Sequence, residues 1–232
     1  MSDTGVWAVL VAAGRGERLG GERPKAFAKL RDRPLLAESL ERLEDSEWIE
    51  AIVVVVHEDW VEPAILLAEE LGAGKVNACV PGGETRADSV RLGVAEVPTE
   101  ATVVLVHDAA RPFLPPEVID RVLQALGEGW DGVVPGLEIP DTLKRAEADG
   151  AVIETVERDR LYGVQTPQAF VADTFRRALA ASAESPTDCA GFVEASGGRV
   201  RIVEGDRRLV KVTTAEDLEL VEALLSPREP LG

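Results

Sequence analysis

Two cysteines and two histidines in 232 residues close off several chemistries at once. Cys79 and Cys189 sit in unrelated contexts, without the paired spacing of a metal knuckle or a disulfide framework. They are therefore expected to be free thiols in a reducing cytoplasm. His57 and His107 are far apart in the chain, and no His/Cys cluster offers zinc a ligand set. There is no Gly-x-Ser-x-Gly elbow, and neither histidine has a neighbour that makes it a credible base for a serine or cysteine nucleophile. No apolar run approaches the roughly 18–20 residues of a membrane span. The first eleven residues also lack the basic start and cleavage site of a secretory signal, so no membrane association is expected. Basic residues are scarce too: 25 Lys and Arg face 42 Asp and Glu, a net charge of -17. That balance argues against nucleic acid, which needs a broad basic face. A single nucleotide needs only a local one. Amides are depleted, with Asn77 the sole asparagine, and arginine far outnumbers lysine. Thermophile proteins and GC-rich genomes share that signature.

The basic residues that exist are concentrated. An apolar run, Val6 to Val11, reads as a buried first strand and breaks into Ala12-Ala13-Gly14-Arg15-Gly16-Glu17-Arg18-Leu19-Gly20, with Pro24-Lys25 following. From Arg15 to Arg33 there are seven Lys/Arg and three acids, a local balance of +4. Small residues and glycines let backbone N–H groups approach an anion closely, and Arg18 and Lys25 add fixed charge beside them. Such a loop suits a small polyphosphate; the plain alternative is a surface turn with solvated arginines. It is neither a Walker loop, which ends in Gly-Lys-Ser/Thr, nor a dinucleotide fingerprint, since Leu19 stands at the third glycine position.

Along the chain, short β-branched runs alternate with helical patterns. The strand candidates are Val6–Val11, Ile52–Val56, Thr102–Val106, Gly132–Pro135 and Arg199–Val203. Helical periodicity covers Leu35–Leu43, Val61–Leu71, Arg86–Val94, Glu117–Leu126, Thr174–Ala181, Asp188–Ala195 and Thr214–Leu225, the last opened by a Thr213/Glu216 capping box. Near-continuous Val/Ile strands joined by helices predict an α/β fold, a doubly wound and mainly parallel sheet in a single domain. Residues 138–163 interrupt the alternation. Two polar limbs flank Ala148-Asp149-Gly150, a hairpin signal. The segment is too poor in apolar residues to form its own core, and reads as a decorated surface hairpin or as an arm packing on another subunit.

Ligands of open α/β sheets sit beyond the carboxyl ends of the strands. The charged residues found there are the Gly14–Lys25 loop, then His107-Asp108-Ala109-Ala110-Arg111-Pro112 after the third strand, and Lys211 flanked by Val210 and Val212. The acid and arginine of the second group either hold a divalent ion beside a phosphate or pair with each other to close the turn. Lys211 is either a snorkelling surface residue or a charge aimed into a site. Gly82-Gly83 at a helix entrance permit close backbone approach, with Ser89 placed to reach a base edge; a plain helix start accounts for the glycines as well.

Seven motifs taken in order, Ala12-Ala13-Gly14…Arg18…Pro24-Lys25, Gly82 to Val90, His107 to Pro112, Asp141 to Lys144, Thr166-Pro167-Gln168, Thr187-Asp188 and Val210 to Thr213, resemble the 2-C-methyl-D-erythritol 4-phosphate cytidylyltransferase family over nearly the whole chain. The resemblance implies a Rossmann-like nucleotidyltransferase that moves CMP from CTP to methylerythritol phosphate and releases pyrophosphate, in non-mevalonate isoprenoid biosynthesis. It implies that Arg18 and Lys25 stabilise the transition state and that Ala12, Ala13 and Gly14 contact CTP. Gly83 and Ser89 would read cytosine. Asp108 and Arg111 would form the acceptor face, with Asp108 also the protein ligand for Mg2+. Thr142, Arg158 and Lys211 would hold the sugar-alcohol phosphate, Arg158 and Lys211 in a catalytic role. Arg158 would come from a neighbouring subunit's arm, making the enzyme a homodimer with shared active sites. Two positions depart from the family's usual pattern: Ala26 where glutamine is common, and Cys189 where an acid usually follows Thr-Asp. The nearest rival is a cytidylyltransferase for another polyol phosphate, such as ribitol 5-phosphate.

Overall fold

The computed structural model describes residues 5–16, 23–182 and 186–225. β1 (Val6–Ala12) enters the centre of the sheet, and two two-residue strands, β2 (Lys29–Leu30) and β3 (Arg33–Pro34), pair antiparallel before α1 (Leu35–Glu44). β4 (Ala51–Val56), α2 (Val61–Leu71), β5 (Val76–Pro81), α3 (Arg86–Ala95) and β6 (Val103–Asp108) then alternate in the expected way. β5 pairs parallel with β4, β4 with β1, and β1 with β6. The sequence reading missed β5. Its residues are half-exposed at the sheet edge, so it lacks the uninterrupted apolar run that marks an interior strand.

Beyond α4 (Pro116–Leu126) the sheet becomes mixed. β7 (Gly132–Glu138) takes β12 (Val200–Glu204) as a parallel neighbour. Its other edge is covered antiparallel by β10 (Tyr162–Val164) and β11 (Gln168–Val171), and β11 also pairs antiparallel with β6. β8 (Leu143–Ala146) and β9 (Val152–Val156) form a separate two-stranded hairpin inside the 138–163 segment. Its turn is the expected one, with Gly150 at φ 90° and the Gly150 N–H donating to the Glu147 carbonyl at 3.0 Å.

Alternation along the central strands explains the double winding. Ala8, Leu10 and Ala12 of β1, with Ile52, Val54 and Val56 of β4, pack on one face beneath α1, α2 and α4. Val9, Val53 and Val55 point the other way, toward α3, α5 (Ala172–Ala181) and α6 (Ala190–Ala195). Each fully buried Val or Leu contributes about 1.5–3 kcal/mol of transfer free energy, so a strand buried on both faces is worth more than a one-sided one. A third, small cluster joins Leu30 and Leu35 to Val212 and to Val221 of α7 (Ala215–Leu225). The cap of α7 is shifted by one residue from the expected box. Asp217, rather than Glu216, accepts from the Thr213 and Thr214 N–H groups, at 2.8 and 2.9 Å.

Candidate active site

A cavity of about 1100 Å³ opens at the carboxyl ends of β1, β4 and β6, against the start of α3. Its first wall is the β1 exit. Ala12, Ala13 and Gly14 line it, and the chain returns so that the Lys25 N–H donates to the Gly14 carbonyl at 3.3 Å. Gly16 permits this closure: at φ 72°, a Cβ there would lie 2.7 Å from Lys25 Cβ. Lys25 thus lines the same cavity. Arg18 falls outside the described residues.

The second wall is the Gly82–Ser89 turn. The Thr85 hydroxyl accepts from Asp88 N–H and the Asp88 carboxylate from Thr85 N–H, a reciprocal capping box. The turn packs on the first wall so closely that a Cβ at Gly82 would sit 2.3 Å from Ala13 Cβ and 2.7 Å from Ser89 Oγ. Ser89 lines the cavity but is more committed than the sequence suggested. Its hydroxyl donates to the Thr85 carbonyl at 3.0 Å and accepts from Gly83 N–H at 3.1 Å. One lone pair is left for a donor such as an exocyclic amine.

The third wall is the corner at the end of β6. The sequence offered two accounts of Asp108 and Arg111, and an ion pair between the two side chains is not what closes the turn. The Arg111 N–H donates to the Asp108 carbonyl at 2.9 Å, a backbone turn, while the Asp108 carboxylate faces elsewhere. Its Oδ1 accepts from Arg86 Nε at 2.9 Å, with Nη2 a further 2.8 Å ion contact, and its Oδ2 accepts from Lys211 Nζ at 2.7 Å. Burial works against the charged carboxylate, yet Arg86 and Lys211 outweigh it and hold Asp108 well below the usual carboxylate range. Lys211 is therefore aimed into the site rather than snorkelling. It lies past β12 in an extended segment without ladder partners, where Val210 and Val212 pack into the third cluster and the alternation turns Lys211 inward.

Arg86 is the cleft residue whose partner the sequence does not reveal. It belongs to the Gly82–Val90 motif, but its reach across 22 residues to Asp108 has no local signal. Behind it, Nη1 donates to Cys189 Sγ at 3.4 Å, and burial pushes that thiol up to about 11. Cys189 therefore acts as a neutral neighbour of the guanidinium. Among the described residues the cavity lining carries the cations Arg15, Lys25, Arg86 and Lys211, against Glu58, Glu84 and Asp108. A chain of net charge -17 thus offers a locally cationic cleft.

Not every expected residue meets there. Arg111 lines a second depression of about 1050 Å³ at the root of the arm, with its Nη1 on the Leu209 carbonyl and its buried Nε unpartnered. Thr142 and Arg158 are exposed on the arm and line neither cavity of the single chain. No group of three His, Cys, Asp or Glu side chains is placed to hold a metal among the described residues. Asp108 already balances two cations, so it fits a divalent ion only as one ligand of an ion held mainly by a bound polyphosphate. His107 is fully buried, and burial pushes its pKa down to about 4, so it is a neutral ring out of reach of any substrate proton.

Known proteins share the sequence and fold of this chain. The family model described as 2-C-methyl-D-erythritol 4-phosphate cytidylyltransferase matches residues 6–227. A protein of that name from Saccharopolyspora erythraea is 46% identical over 224 residues, covering 95% of this chain and 99% of its own. The relative from Rubrobacter xylanophilus is 39% identical over 233 residues, covering 99% of this chain and 98% of its own. Among solved structures, a 4-diphosphocytidyl-2C-methyl-D-erythritol synthase superposes with a TM-score of 0.81 at 35% identity, covering 95% of this chain and 99% of that one. The cytidylyltransferase from Thermus thermophilus gives 0.77 at 33% identity, covering 93% and 96%. A match that runs through all three walls of the cleft and nearly the whole chain makes this protein a member of the 2-C-methyl-D-erythritol 4-phosphate cytidylyltransferase family.

Proposed function

We propose that the cleft transfers CMP from CTP to 2-C-methyl-D-erythritol 4-phosphate, releasing pyrophosphate, as a step of isoprenoid biosynthesis. The observation that carries this reading is the Arg86–Asp108–Lys211 cluster facing a glycine loop across one cavity. An acceptor phosphate is already anionic at neutral pH. Its oxygen forms the new bond to the α-phosphorus while the bond to the β-phosphate oxygen breaks, and no proton has to be removed first. The protein's task is to place two anions in line and to balance charge as it builds, which calls for cations and backbone N–H groups.

Ala12, Ala13 and Gly14 receive the triphosphate, with Arg18 and Lys25 supplying the charge that grows on the transferring group. Gly83 and Ser89 shape the pocket for cytosine. Lys211 moves its contact from Asp108 to the acceptor phosphate, and Arg111 adds its positive charge on the acceptor side. Mg2+ bound to the triphosphate would neutralise charge on the leaving pyrophosphate, with Asp108 its protein ligand.

The arm supports a homodimer with shared sites. Val152 and Ile153 expose 62% and 54% of their surface on a two-stranded hairpin, which gains stability only by packing on something else. A two-fold partner would cover it and bring Thr142 and Arg158 to the acceptor side of the other subunit's cleft. The free thiols suit a reducing cytoplasm, and no described helix is long and apolar enough to cross a membrane. The whole 232-residue chain is then one nucleotidyltransferase domain, with residues 138–163 its dimerisation arm. Pyrophosphate release measured side by side with methylerythritol phosphate and ribitol 5-phosphate tests the acceptor. Faster turnover of the former is expected; preference for ribitol 5-phosphate would reassign the enzyme.

A further inference from the structure

The corner carrying Asp108 and Arg111 is held from behind by two residues with no place in the chemistry above. The Asp108 N–H donates to Thr166 Oγ1 at 3.1 Å, Thr166 Oγ1 lies 3.1 Å from His107 Nδ1, and His107 Nε2 lies 3.1 Å from the Arg111 carbonyl. Both ends of this chain fix its direction. A backbone N–H only donates, so Thr166 accepts from Asp108 and its single proton is left for His107 Nδ1. A carbonyl only accepts, so the proton of the neutral ring is on Nε2. The two requirements agree, and every member is satisfied in one arrangement. His107 and Thr166 are almost completely buried, at 0% and 4% exposure, so no water competes for these bonds.

We infer that Thr166 and His107 are positioning residues for the transfer, a one-way hydrogen-bond chain that sets where Asp108 and Arg111 meet the acceptor. The remaining contacts of the corner point the same way. The Ala109 N–H donates to the Val11 carbonyl at 3.0 Å, tying the corner to the nucleotide loop. Ser39 Oγ donates to the Ala109 carbonyl at 3.0 Å, and the Val212 N–H to the Ala110 carbonyl at 2.7 Å, next to Lys211. A turn fixed at this many points carries its two charged side chains in one geometry. Among the described residues, the Thr166–His107 link alone joins the backbones of Asp108 and Arg111 through side chains.

This inference rests on the assignment of Asp108 and Arg111 to the acceptor side. Thr166→Val keeps the shape and removes both bonds; Thr166→Ser restores them. Thr166→Val should raise KM for methylerythritol phosphate about 10-fold, with KM for CTP within about 2-fold, and Thr166→Ser should stay near the parent. A lower melting midpoint with unchanged kinetic constants would mean a purely structural role and overturn the inference. Because the chain has only two histidines, long-range proton–nitrogen NMR of the parent protein, with His57→Gln for assignment, reads the His107 tautomer directly. Nε2–H is expected, and Nδ1–H would overturn the chain whatever the substrate. A parent enzyme that ignores methylerythritol phosphate but shows the Nε2–H tautomer would refute the acceptor and leave the hydrogen-bond chain standing.

Discussion

Replacing Asp108 with Asn removes one charge from a point where two cations meet it. The side chain is 8% exposed, Arg86 lies 2.8–2.9 Å from Oδ1, and Lys211 lies 2.7 Å from Oδ2. Asparagine keeps the shape but turns an NH2 group toward one of these donors. Breaking a buried ion pair by removing one partner costs about 3–5 kcal/mol. Lys211 is 40% exposed and can turn to solvent, so the lower end, about 3 kcal/mol, applies, borne chiefly by the Arg86 contact. With an unfolding entropy of roughly 2.1 cal/mol/K per residue, a chain of this length loses about 6 °C in melting midpoint. The sign with pH follows from the depressed carboxylate. Its stabilisation is complete above the ordinary value of 3.8 and is lost as pH falls toward the lower folded value. Thermal melts in phosphate-free buffer should therefore show a gap between parent and variant at pH 7 that narrows below about pH 4. A variant melting within about 2 °C of the parent at pH 7 would refute the claim that Asp108 holds the cluster together.

Three further outcomes follow from the cleft. Lys25→Ala should lower turnover about 100-fold or more and change CTP affinity less, read by steady-state kinetics with a nucleotide titration; near-parental turnover would remove Lys25 from the transition state. Ser89→Ala frees Gly83 N–H and the Thr85 carbonyl, so competition between CTP and UTP should show weakened base discrimination with a smaller effect on rate. Mixing Arg158→Ala chains with Lys25→Ala chains should give heterodimers in which one site of the two is whole, with activity well above either parent; inactive heterodimers would contradict shared sites.

The sequence exposed the parts of this molecule whose signal is local. Ile52–Val56 and Asp149-Gly150 announce themselves through an apolar run and turn chemistry, and each forms the element expected. β5 and β11 do not, because an edge strand and a four-residue antiparallel insert are defined by their neighbours rather than by their own pattern. The site divides in the same way. Lys25, Gly83, Ser89, Asp108 and Lys211, all picked out by local motifs, line one cavity. The meeting of Arg86 with Asp108, and of Thr166 with His107 across 59 residues, depends on the packing of separate elements. Lys211 was ambiguous for a related reason: valines on either side fit an exposed strand as well as an extended segment turned into a cleft.

The central claim is a chemical one, and phosphorus NMR of the purified protein with CTP, Mg2+ and methylerythritol phosphate tests it most directly. The account predicts that the α, β and γ resonances of CTP are replaced by free pyrophosphate and by the coupled pair of a new diphosphate ester, only when all three are present. Release of pyrophosphate without the acceptor, or a nucleotide left intact beside it, would contradict the account.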